Sequence, residues 1–271
     1  MVLKHISSGG GTLAVEVTGS GPLVICSPGI GDTRAHFTPL AETLAAQGYT
    51  VASVDPRGHG DSSIDFSSYG DEATATDFLK VMHELGATKA VLAGTSFSAA
   101  SATIAAATEP EAIAGIILLG PFLRPGASKL LLSIFPLFFW RPWGPAMWQY
   151  YAGTLWPGYS GGAAQRAKDS RAHLTRPGRW AAFQSTVGNL DHSVVAPYIP
   201  KVKAPALVIM GDKDPDWSKP VEEAEWVASQ FKSRELLIVE GAGHGPAVEK
   251  PNVVGPAVVK FLDGLKKGGS F

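Results

Sequence analysis

Residues 90–100 read Ala90-Val91-Leu92-Ala93-Gly94-Thr95-Ser96-Phe97-Ser98-Ala99-Ala100. A short apolar run enters a Gly-x-Ser-x-small turn, and an alanine-rich run suited to a helix leaves it. Such a turn bends sharply at its central serine, so the residues two before and two after must be small. Gly94 and Ser98 meet that demand. The bend exposes the Oγ of Ser96, and the following helix N-terminus favours negative charge developing beside it. A serine at a helix start can also be a plain N-cap. The strand on one side and the helix on the other favour a nucleophile.

Outward from this turn, short apolar runs recur at 13–17, 23–26, 50–54, 113–119, 206–210 and 235–239. Most are nearly continuous, as in strands buried on both faces. Helix-like segments at 39–47, 71–85, 98–108 and 220–231 lie between them. The alternation predicts a mostly parallel sheet with helices on both faces. Runs 13–17 and 23–26, joined by Gly19-Ser20-Gly21-Pro22, are close enough for an antiparallel pair. The tail from Lys266 is expected to fray.

The rhythm breaks between Phe122 and Ala196. This segment shows no strand pattern and holds 13 of the 25 aromatic residues, among them Trp140, Trp143 and Trp148. It also carries eight basic and two acidic side chains, which leaves 15 basic and 22 acidic elsewhere in the chain. We expect a helical lid at 122–196, inserted into a core domain made of 1–121 and 197–271. A lid belongs over the carboxyl edge of the sheet, where open α/β sheets bind ligands. The three tryptophans are candidate substrate contacts; the alternative is that the rings form the lid's own core. The positive charge either steers an anionic substrate or attracts the acidic body.

The chain has 271 residues, a formal net charge of −1 and 45% hydrophobic residues. That suits a substantial core and excludes intrinsic disorder and the basic excess of a nucleic-acid binder. The single cysteine, Cys26, excludes an internal disulfide framework. The start at Met1 lacks a signal-peptide core, and the apolar run from Leu130 to Trp140 is too short to span a bilayer. The expectation is a cytoplasmic protein with no transmembrane segment and no nucleic-acid partner.

Four other loops follow apolar runs. Ser27-Pro28-Gly29-Ile30-Gly31-Asp32 is a plain tight turn or a loop presenting N–H groups to an oxyanion. Pro28 cannot donate, so the candidate donors are the N–H groups of Ile30 and Phe97. Asp55-Pro56-Arg57-Gly58-His59-Gly60-Asp61-Ser62 suits a loop stapled by Asp–Arg contacts, with His59 a structural hydrogen-bonder. Gly211-Asp212-Lys213-Asp214-Pro215-Asp216 offers three carboxylates. Asp214 lies three residues past Gly211 and is the candidate triad acid. Asp212 suits a turn former and Asp216 a helix-start or surface acid. Gly241-Ala242-Gly243-His244-Gly245-Pro246 carries a histidine with room to reach across the sheet edge. The other five histidines (His5, His36, His83, His173, His192) have no comparable setting.

These motifs together resemble the α/β-hydrolase superfamily in its lidded, single-domain form. The resemblance spans nearly the whole chain, with Ser96, Asp214 and His244 in the order expected for that fold. It implies an eight-stranded, mostly parallel sheet, a serine esterase or lactonase acting on a small to medium apolar substrate, and no metal or organic cofactor. Two positions depart from the family pattern: Pro28 replaces the usual histidine and Ser98 the last elbow glycine. Relatives that open epoxides or remove halides use an aspartate nucleophile, whereas Ser96 stands here. Some relatives take their acid from the strand after the elbow helix. Here that strand ends Leu119-Gly120-Pro121 without a carboxylate, which strengthens Asp214. Relatives that cleave carbon–carbon bonds often carry a tryptophan after the histidine, where this chain has Gly245. Thioesterase, acyltransferase or carbon–carbon hydrolase activity with the same triad is the alternative, as is a non-catalytic ligand receptor on this fold.

Overall fold

The computed structural model describes residues 1–126, 134 and 136–271. Part of the apolar run from Leu130 to Trp140 lies outside them. Eight strands form one sheet: β1 (Val2–Ser8), β2 (Gly11–Gly19), β3 (Leu23–Ser27), β4 (Thr50–Val54), β5 (Ala90–Thr95), β6 (Ile113–Leu119), β7 (Ala206–Gly211) and β8 (Arg234–Val239). Their order is β1-β2-β4-β3-β5-β6-β7-β8. The pairs β1–β2 and β2–β4 are antiparallel and the other five parallel.

Strand side chains alternate between faces, so the apolar runs fill two cores. Ile25, Leu92, Ile116 and Val208 face one, against α2 (Asp71–Glu84), α3 (Phe97–Thr108) and α7 (Pro220–Ser229). Val24, Val91, Ile117 and Ile209 face the other, against α1 (Thr38–Ala46) and α9 (Pro251–Lys267).

Two expectations are corrected. Strands β2 and β3 do not pair: β4 lies between them, bonded to both. The β2–β3 link passes over the end of that intervening strand, where the Gly21 carbonyl accepts from Thr50 Oγ1 at 2.9 Å. The antiparallel partner joined to β2 by a tight turn is β1, which has no apolar run because it is an exposed edge strand. The tail, expected to fray, lies against the body. Phe271 stacks on Tyr49 at 6.2 Å, and Lys89 Nζ donates to the Ser270 carbonyl.

Between β6 and β7 come α4 (Gly144–Thr154), α5 (Ala163–Leu174) and α6 (Arg179–Gly188), with no strand among the described residues there. Aromatic side chains of this segment build a small core of their own, in which Phe139 and Trp148 meet Phe183 edge to face and Trp180 packs on Phe183 at a tilt of 31°. Two short helices complete the carboxyl edge: α8 (Pro246–Glu249) after β8, and a 3₁₀ turn over Arg34–Phe37 after β3. No described helix is long and apolar enough to cross a membrane.

Candidate active site

Strand β5 delivers Ser96 to the carboxyl edge, and α3 starts at the next residue. Ser96 is the one residue other than glycine with positive φ among the described residues, at φ 60° and ψ −126°. Holding a serine there costs on the order of 1–3 kcal/mol, which the strand and helix on either side enforce. A Cβ at Gly94 would collide with the Ser98 carbonyl, which explains the glycine two residues before the bend. Ser98 contributes more than small size. Its Oγ donates to the Pro28 carbonyl at 2.6 Å and lies 3.0 Å from Ser27 Oγ, tying the bend to the loop after β3.

That loop is held from a second side. The Gly31 N–H donates to His59 Nε2 at 2.9 Å, while His59 Nδ1 lies 2.9 Å from the Arg57 carbonyl. The two contacts fix the tautomer: Nδ1 carries the proton and Nε2 accepts. Burial pushes this imidazole down to about 4, so it stays neutral and able to accept. Among the described residues, the N–H groups of Ile30 and Phe97 take no acceptor. The loop around His59 is pinned by the Arg34–Asp55 and Arg57–Asp77 ion pairs. Arg176 and Arg179, from the segment after β6, donate to the carbonyls of Gly60, Gly58 and Ser62.

His244 and Asp214 meet from the loops after β8 and β7. Nδ1 of His244 lies 2.8 Å from Asp214 Oδ2, and the two residues are 5% and 2% exposed. The spacing from Gly211 thus places Asp214 where the sequence suggests. The Asp212 side chain accepts from the Gly241 N–H at 2.6 Å and so ties the β7 loop to the β8 loop rather than forming a turn of its own. Asp216 is no surface acid. Its Oδ2 is 3.3 Å from the same Nδ1, and its Oδ1 accepts from Tyr151 Oη at 2.6 Å. Its proximity arises because the loop turns back, with the Asp216 N–H donating to Asp214 Oδ1 at 3.0 Å. Burial opposes charge on His244, but Asp214 and Asp216 outweigh it and push the imidazole up to about 9.

Ser96 and His244 border one small cavity of about 30 Å³. Ser96 also borders a larger, mainly apolar one of about 250 Å³, lined by Phe97, Phe122, Phe139, Trp148, Val187 and Leu190. Ser96 Oγ makes no hydrogen bond among the described residues. Of the three tryptophans proposed to meet substrate, Trp148 lines this cavity. Trp140 and Trp143 do not: they are 57% and 52% exposed, and Trp143 Nε1 donates to the Leu137 carbonyl.

Several site residues carry no sequence signal. Glu249 is buried and accepts from the N–H groups of Gly158, Gly243 and Gly245, bracing the His244 loop. The His244 N–H itself donates to the Leu155 carbonyl at 2.9 Å. Gly245 has no side chain because the Trp156 ring occupies that space. His36 and His192 line the two cavities, paired with Asp32 and Asp71. Burial opposes ionisation of Asp32, but Arg166 and His36 hold its carboxyl well below the usual range. One described group has the donors for a cation: Asp214, Asp216 and His244, with ligand atoms within 4.8 Å of one another. A cation bound there would take the Nδ1 that otherwise holds the imidazole against Asp214.

Known proteins place this geometry in context. The chain is 26% identical over 282 residues to a 2-(acetamidomethylene)succinate hydrolase of Mesorhizobium japonicum, covering 97% of this chain and 95% of that protein. A 128-residue stretch is 31% identical to an epoxide hydrolase of Caballeronia sordidicola, covering 46% and 39%. The fold is similar to a thermophilic esterase from Thermogutta terrifontis, with a TM-score of 0.84 and 24% identity over 98% of this chain and 99% of that one. Residues 23–256 match the model described as "Alpha/beta hydrolase family". By that match, together with the eight-stranded sheet and the serine bend, the chain belongs to the alpha/beta hydrolase family.

Proposed function

We propose that the protein is a serine hydrolase that cleaves a carboxylic ester or lactone of a small to medium apolar substrate through an acyl-enzyme. One observation carries this reading. Ser96, held at positive φ, borders an apolar cavity beside a histidine whose Nδ1 lies 2.8 Å from a buried aspartate. A serine hydroxyl is a weak nucleophile at neutral pH. His244 Nε2 takes its proton as Oγ attacks the carbonyl carbon. Asp214 holds the imidazole tautomer and stabilises the imidazolium. The Ile30 and Phe97 N–H groups receive the oxyanion, each worth on the order of 3 kcal/mol in the transition state. His244 returns its proton to the leaving alcohol, then activates the water that releases the acid. A serine rather than an aspartate at the bend favours this acyl transfer over epoxide opening.

The segment 122–196 serves as the lid. Its Phe139, Trp148, Val187 and Leu190 form one wall of the apolar cavity, which supports an apolar substrate. Of the three candidate tryptophans, Trp148 is the one assigned to substrate.

The test is a fluorophosphonate label read by intact mass, beside turnover of p-nitrophenyl esters of increasing chain length. Label on the wild type, none on Ser96→Ala, and turnover lost in that variant are expected. Full activity in Ser96→Ala would overturn the mechanism.

A further inference from the structure

The His244 imidazole faces two carboxylates. Asp214 Oδ2 lies 2.8 Å from Nδ1 and Asp216 Oδ2 3.3 Å. Both acids come from the loop after β7, and the Asp216 backbone N–H donates to Asp214 Oδ1. A second carboxylate beside the first carries a like-charge cost, so its place has to be enforced. Tyr151 enforces it: this α4 side chain donates to Asp216 Oδ1 at 2.6 Å. Asp216 is therefore held at both ends, by the segment above the sheet and by the loop beneath it.

We propose that Asp216 is a second positioning acid for His244, an ion-pair partner of Nδ1 beside the Asp214 hydrogen bond, held in place by Tyr151 from α4. This rests on the serine-hydrolase reading above. Asp216 acts through the imidazole: its carboxylate lies within ion-pair distance of Nδ1 and favours the proton staying there, which keeps Nε2 free for Ser96. When Asp214 is lost, Asp216 becomes the acceptor that preserves the tautomer. Every ionisable group near His244 bears on its titration. These are Asp214 and Asp216 from the β7 loop, Glu249 from α8, His36 from the turn after β3 and the Tyr151 hydroxyl from α4. Three of them are acids that favour the imidazolium, while the buried His36 opposes it.

Two measurements test the proposal. The first needs no turnover: titrate the His244 ring by NMR in Ser96→Ala, with and without Asp216→Asn. The second carboxylate's removal is expected to move the titration down by about one pH unit. The second measurement is a double-mutant cycle on kcat/KM for p-nitrophenyl acetate. Asp216→Asn alone is expected to cost a few-fold. In the Asp214→Asn background it is expected to cost a further tenfold or more, because the last acceptor for Nδ1–H is gone. Tyr151→Phe in that background is expected to lose activity in the same direction, and Asp216→Glu to restore part of it. An unmoved titration, or an equal cost of Asp216→Asn in both backgrounds, overturns the proposal. If the double variant does not fold, the NMR shift decides alone. A wild type without ester turnover, but with the NMR shift, would sink the hydrolase reading and leave the Asp216 contact standing.

Discussion

Two loops at the carboxyl edge of the sheet present a histidine between glycines: Gly58-His59-Gly60 after β4 and Gly243-His244-Gly245 after β8. Both imidazoles are buried. Among the described residues His59 hydrogen-bonds to backbone alone, so burial dominates its titration and pushes it down to about 4. His244 meets two carboxylates, which overcome the same burial and push it up to about 9. The local sequence is nearly the same and the chemistry opposite. What differs is the strand next door: β7 ends beside His244 with Asp214 and Asp216 in its loop. A histidine's role at such an edge is set by its neighbours' loops rather than its own.

The largest expected effect separates the two by activity. His244→Gln should lower kcat by about 10⁴-fold or more, since the proposed base is lost. His59→Gln should lower it on the order of tenfold, through a displaced Gly31 loop, with about 1–3 kcal/mol of stability lost for the unpaired N–H. Equal losses on p-nitrophenyl acetate would erase the distinction.

The next effect is on the pH profile. A base raised to about 9 is charged at neutral pH, so kcat/KM should climb with pH and level off above about pH 9. A limb near pH 4 would assign the essential titration to a group like His59.

The smallest effect is on stability, and the two histidines should act with opposite sign. A folded-state value raised from 6.5 adds stability that is complete below pH 6.5 and lost as pH climbs through about 9. A value lowered to about 4 withdraws stability as pH falls from 6.5 towards 4. Urea midpoints measured across pH 4–10 should lose the alkaline decline in His244→Gln and part of the acid decline in His59→Asn. Unchanged curves would mean that neither imidazole titrates differently on folding.

The elements that can be read from sequence are those with short-range signals. The Gly94–Ser98 turn, the offset of Asp214 from Gly211 and the interior strands all show as local patterns. Strand β1 does not, because its side chains are exposed and it needs no apolar run. The place of β4 between β2 and β3 is a long-range pairing that no turn encodes. Asp216 reads as a surface acid until Tyr151, 65 residues earlier, closes over it. Glu249 is an ordinary helix residue until three glycine N–H groups converge on it. The cationic segment after β6 becomes legible only in three dimensions. Arg124 and Arg166 pair with Glu223 and Asp32 of the core, and Arg176 and Arg179 with backbone carbonyls of the His59 loop. Much of its charge is thus spent against the body.

The Glu249 cradle also bears on motion in time. Its carboxylate joins the amides of Gly243 and Gly245 to that of Gly158, while the His244 amide is bonded to Leu155. In hydrogen-exchange terms these four amides are expected to open together. Lifting residues 155–158 from the sheet edge breaks the Leu155 bond to His244 and the Gly158 bond to Glu249, so under the proposed function a substrate that enters with both bonds intact does so with this stretch as the fixed point.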